Sequence, residues 1–71
     1  MRVVAIGDPD LLRGYALAGV AILPAAGEPA VAAAWENVDS DVGLVLLTPA
    51  AREVLEGRLG DREAMWIELP G

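Results

Sequence analysis

The 71-residue sequence contains no cysteine, histidine, lysine or phenylalanine. Without cysteine there are no disulfides, thiol nucleophiles, zinc ribbons or iron–sulfur ligands. Without histidine, His-based triads and most zinc, copper and non-haem iron sites are excluded. Without lysine, Schiff-base chemistry and a Walker lysine are excluded. Hydroxyl side chains are scarce: Ser40, Thr48 and Tyr15 are the whole set, and no general base lies near them in sequence. Ser40 reads as a turn residue and Thr48 as a helix cap. Positive charge is scarce too. Arg2, Arg13, Arg52, Arg58 and Arg62 stand singly against 11 acids, for a formal net charge of -6. No basic run is present to neutralise phosphates, so neither nucleic acid nor an anionic membrane surface is an expected partner. An acidic surface suits a basic protein partner and serves plain solubility equally well.

Long apolar runs are also missing. The richest, Ala16 to Ala26, carries Gly19 and Pro24 and falls short of a membrane span, so no direct membrane insertion is expected. The opening apolar stretch after Arg2 is closed by Gly7-Asp8-Pro9-Asp10, too soon for a signal peptide, and a cytoplasmic chain is expected. A chain of this length is about half a usual domain and buries only roughly 60% of its extended surface. A single domain over residues 1–71 is expected, marginal in stability unless well patterned or held by a partner.

What is present is an alternation of short apolar runs and helical stripes. Val3 to Ile6 reads as a buried strand of a parallel sheet. Asp8 or Asp10 can cap the helix that follows, with Pro9 at the first helical position if Asp8 is the cap. In that helix Leu11, Gly14, Tyr15 and Ala18 share a face, Leu12 and Ala16 broaden it, and Gly19 stops it. Gly14 is expected to permit tight helix–sheet contact. Val20 to Leu23 is a second strand, and Pro24 places it at an edge. Gly27-Glu28-Pro29 opens a second helix with Val31, Ala34, Trp35 and Val38 at helical spacing. After the turn Asp39-Ser40-Asp41, Val42 to Leu47 is the strongest strand. Thr48-Pro49 then caps a third helix with the stripe Ala51, Val54, Leu55 and Leu59, weakened at Gly57 and ended at Gly60. Ala64 to Leu69 is a fourth strand, and Pro70-Gly71 terminates the chain. The predicted class is α/β: a three-layer domain with a four-stranded parallel sheet, order 2-1-3-4, and three helices.

Candidate sites follow from this layout. Asp8 and Asp10 follow the first strand, where open parallel sheets place ligands, and Thr48 follows the third. The three would line a loop site for a small ligand, and two carboxylates suit Mg²⁺. Capping is the plainer role for both acids, so no metal or cofactor is assigned. A receiver domain of similar topology would need an Asp after the third strand and a Lys; neither is there. A G-x-G-x-x-G loop is also missing, and Asp8 and Asp10 would repel a pyrophosphate. Glu53 and Glu56 beside Arg52 read as a solvated face. No catalytic residue is assigned. Tyr15 and Trp35 lie on apolar stripes and are expected in the core, Trp35 as the anchor of the second helix. Trp66, on an edge strand, is expected to be half covered by the third helix and is a candidate interface anchor. Leu12, Arg13 and Tyr15 form a mixed apolar and charged set of the kind found at interface hot spots. The edges formed by strands 2 and 4 offer a route to self-association.

Beyond these readings, the segment Arg2 to Val20 resembles the N-terminus of the F subunit of V-type and archaeal A-type ATP synthases. The matching positions are Gly7, Asp8 and Asp10, then Gly14, Tyr15, Leu17, Ala18, Gly19 and Val20. Glu28-Pro29, Asp41 to Thr48, and Ile67 to Gly71 are similar to later segments of that family. The resemblance implies a Rossmann-like domain in its short form, without the C-terminal helix that usually follows. It implies a non-catalytic central-stalk subunit of a proton- or sodium-translocating ATPase. Such a subunit binds the coiled-coil D subunit, turns with the rotor beneath the A/B head, and is cytoplasmic and peripheral to the membrane. The alternative carried beside it is a regulatory or small-ligand-binding module of the same fold, without turnover.

Overall fold

Apolar runs of four to six residues become strands here because both faces of a parallel sheet can be covered. The computed structural model describes residues 2–70: β1 (Arg2–Gly7), α1 (Pro9–Ala16), β2 (Ala21–Pro24), α2 (Glu28–Glu36), β3 (Val42–Leu47), α3 (Pro49–Val54) and β4 (Met65–Glu68), with a 3-10 turn at Leu59–Asp61 before β4. Gly71, the last residue of the terminal motif, lies outside the described residues. The sheet is parallel throughout, in the expected order β2-β1-β3-β4. Its edges are the two shortest strands, and Pro24 lies in one of them.

Register sets the two faces. Ile6 pairs with Leu23 and Leu47, and Val45 with Trp66, so Val4, Ile6, Val45, Leu47 and Trp66 share one face. Over that face lie α2 and α3, contributing Val31, Trp35 and Ala51, with Val38 and Leu55 from the residues just after each helix. Trp35 is 2% exposed and its indole N–H donates to the Arg58 carbonyl at 3.2 Å. The opposite face carries Ala5, Ile22, Leu44, Leu46, Met65 and Ile67, and α1 covers it through Leu12 and Tyr15.

Several local expectations need correction. In α1 the buried residue is Leu12, whereas Leu11 is 65% exposed and Ala18 is exposed beyond the helix end. Asp8 caps the helix and Pro9 starts it, and that start sets the phase that turns Leu12 and Tyr15 to the sheet. Two adjacent leucines fit either phase, so spacing alone could not choose. Gly14 makes no tight contact: a Cβ there would meet nothing within 4 Å. The third helix stops at Val54 instead of reaching Gly60. Gly57 takes φ 89°, a left-handed conformation that reverses the chain and that other residues resist. Leu55 is still fully buried, and Leu59 packs from the 3-10 turn.

A contact between distant residues closes α2. The Arg62 guanidinium donates to the carbonyls of Glu36, at 3.3 Å, and Val38, meeting acceptors that the helix end leaves unpaired. At the same end of the sheet Arg2 lies 3.0 Å from Asp39 and 3.3 Å from Asp41. Its hydrogen bond to Asp39 and the charge of Asp41 hold the guanidinium pKa above its ordinary value. The raised value means that Arg2 keeps its charge throughout the neutral range, and its contribution is lost only as strong alkali passes the guanidinium pKa. A pH series through neutrality should therefore leave stability unmoved through Arg2.

Candidate functional site

The carboxyl ends of β1 and β3 meet at the centre of the sheet, where the Thr48 N–H donates to the Ile6 carbonyl at 3.3 Å. The chain turns out of each strand into a helix. The Asp8 carboxylate accepts from the Asp10 N–H at 2.9 Å and caps α1. The Thr48 hydroxyl oxygen accepts from the Ala51 N–H at 3.2 Å and caps α3. Between these caps and the start of α2 lies a cleft of about 220 Å³, walled by Asp8, Thr48, Leu11, Ala25, Gly27, Val31 and Val54.

Asp8 and Thr48 thus come together, as the sequence suggests, but Asp10 does not join them. Its carboxylate turns to Arg13, at 2.8 Å, on the outer surface of α1. What remains is a small aliphatic cleft with one carboxylate at its rim and one buried hydroxyl, each already holding a helix N-terminus. Among the described residues no three acidic side chains are grouped so as to hold a metal ion. Thr48→Ala should cost about 1 kcal/mol through loss of the cap, and Thr48→Ser should restore most of it. The urea midpoint of the two variants decides this.

The residues singled out for partner contact do not share one surface. Leu12 is fully buried among Ala5, Leu46 and Leu69, so it belongs to the core, a correction to its surface role. Arg13 is exposed and Tyr15 half-buried, both on α1. Trp66 sits on the opposite face, half covered from α3 by Arg52, whose guanidinium lies 5.6 Å above the ring. Arg52 also reaches Glu56 at 3.2 Å and Glu68 at 3.6 Å. The strand neighbours of Trp66 were missed by sequence reasoning: Met65 is 70% and Ile67 48% exposed. Strict alternation along Met65-Trp66-Ile67 was the available signal, since it turns the two away from Trp66. Arg62 had no local signal at all, because its carbonyl partners lie 24 and 26 residues away.

The fold and this cleft define a small doubly wound α/β domain, with two helices on one sheet face and one on the other. Over 73 aligned residues the chain is 32% identical to the F subunit of A-type ATP synthase from two strains of Methanococcus maripaludis, a match that covers 99% of this chain and 74% of the relative. The crystal structure of the V-type ATP synthase F subunit from Archaeoglobus fulgidus shares the fold at a TM-score of 0.66 and 25% identity, covering 97% of this chain and 96% of that one. No family model matches the chain. On these matches along nearly its whole length, the chain belongs to the F-subunit family of V/A-type ATP synthases. Among the described residues no helix is long and apolar enough to cross a membrane.

Proposed function

We propose that the chain is a non-catalytic central-stalk subunit of a V/A-type rotary ATP synthase. In this reading it binds the coiled-coil D subunit and turns with the rotor, while ATP chemistry takes place in the A/B head. It is then cytoplasmic and peripheral to the membrane as part of the complex. The observation that carries the reading is the match to F subunits along nearly the whole chain. The cleft is in keeping with it, since its carboxylate and its hydroxyl both serve as helix caps. Coexpression with the D subunit and the A/B head tests it. The chain is expected to elute with them in fixed ratio. A head–D complex that assembles without it, leaving the chain free, would refute the reading.

The cleft of about 220 Å³ between Asp8 and Thr48 favours a second reading, a small-ligand-binding module without turnover. Calorimetric titration with Mg²⁺ and nucleotides decides it. Absence of heat together with an unshifted melting temperature removes it.

A further inference from the structure

The two faces of the sheet are covered unequally. Strands lie about 4.8 Å apart and helices pack about 8–10 Å apart, so a four-stranded sheet accommodates two helices side by side. On one face α2 and α3 fill both places. On the other, α1 packs on β2 and β1 and its Leu12 reaches Leu46 of β3, so that the half toward β4 is open. That is why Met65 and Ile67, which point to this side, are 70% and 48% exposed. At the carboxyl end the open half continues into a groove of about 330 Å³ whose walls include Leu11 and Tyr15 of α1 on one side and Pro49 and Leu69 on the other. The strip formed by Met65, Ile67 and the groove walls Leu11, Tyr15, Pro49 and Leu69 is apolar. A contiguous exposed apolar strip of this kind marks an interaction surface.

Charge selects the occupant. At the amino end of β3 and β4 lie Asp39, Asp41, Asp61 and Glu63. Arg2 serves Asp39 and Asp41, whereas Asp61 and Glu63 have no ion pair among the described residues. A second copy would bring another net charge of -6 to the contact; a cationic partner would lower the repulsion.

We propose that the open half of this face is the seat of an amphipathic helix of the D subunit. Its apolar stripe lies on Met65 and Ile67 and enters the groove beside Leu11 and Tyr15, and its arginine or lysine side chains meet Asp61 and Glu63. The inference rests on the stalk reading and adds where the partner sits and which chemistry it presents. The test is calorimetric titration of the full chain with purified D subunit, at low and high salt, with a melting curve for every variant. Met65→Glu/Ile67→Glu, which alters only exposed strand residues, is expected to weaken D binding by more than about tenfold. Ala30→Glu/Ala33→Glu adds the same charge to the exposed side of α2 and is expected to stay within about twofold, because exposed positions away from a contact are nearly neutral. Asp61→Asn/Glu63→Gln is expected to flatten the salt dependence. Equal D binding by wild type and Met65→Glu/Ile67→Glu overturns the placement and leaves the stalk reading standing. Failure of the wild-type chain to bind D overturns both. A wild-type dimer that Met65→Glu/Ile67→Glu dissociates, with D binding untouched, overturns the placement and assigns the face to self-association.

Discussion

Trp35→Ala is expected to cost about 3–5 kcal/mol, the range for truncating a large buried aromatic. Trp35 is 2% exposed and stands between Val31 and Val38, one turn away on either side, with Leu55 from the α3 segment in the same cluster. Its indole bond to the Arg58 carbonyl and its place in the core cluster tie α2 to the residues after α3 and to the sheet. Stable domains hold about 5–15 kcal/mol in total, and a chain of this size sits near the lower end. The variant is therefore expected to be largely unfolded at ambient temperature by far-ultraviolet circular dichroism. Trp35→Phe gives a graded comparison, since it keeps most of the volume and deletes the hydrogen bond to the Arg58 carbonyl. It should cost about 1–2 kcal/mol, combining the lost bond and the orphaned acceptor. An unchanged urea midpoint in Trp35→Ala would show that α2 is not held by this residue.

Gly7→Ala should be nearly as damaging, for a different reason. Gly7 ends β1 with φ 152°, a conformation that side chains rarely adopt. Its missing Cβ faces the Thr48 side chain: an added methyl would lie 3.0 Å from the Thr48 Cβ and closer still to its Cγ2 and Oγ1. Thr48 is 3% exposed and fixed by its cap bond, so it has little room to yield. Backbone strain and overpacking together suggest a loss of about 2–4 kcal/mol. The two sources can be separated by a double-mutant cycle. Thr48→Ala removes both of the atoms in severest conflict, so Gly7→Ala should cost measurably less in that background. Additive losses would place the whole effect in the backbone conformation and none in the contact.

Much of the architecture is legible along the chain. The run Val42 to Leu47 can be only a strand buried on both faces, and Thr48-Pro49 after it can hardly do other than start a helix. The order 2-1-3-4 follows from Pro24 at one edge and from the two most continuous apolar runs at the centre. Trp35 between Val31 and Val38 announces its burial by spacing alone. The same local logic places Asp8 and Thr48 as caps, because hydroxyl and carboxylate oxygens at those positions satisfy N–H groups that a helix start leaves open.

Other features carried no decisive signal along the chain, and only the folded structure decided them. Leu11 and Leu12 are equally apolar, and the phase set by the strand-to-helix turn sends one to solvent and the other to the core. Asp10 has the same chemistry as Asp8, yet Arg13 one turn on draws it away from the cleft. Gly60 reads as the helix stop and Gly57 only as a weak point, yet the left-handed turn ahead of the 3-10 segment falls at Gly57. Arg62 meets the end of α2, whose carbonyls lie 24 and 26 residues away in the chain. The open half of the α1 face belongs with these features. Alternation determines that Met65 and Ile67 point together, but their exposure depends on how many helices cover that side. That number is set by the hand of three successive crossovers, a property of the whole sheet and of no single segment.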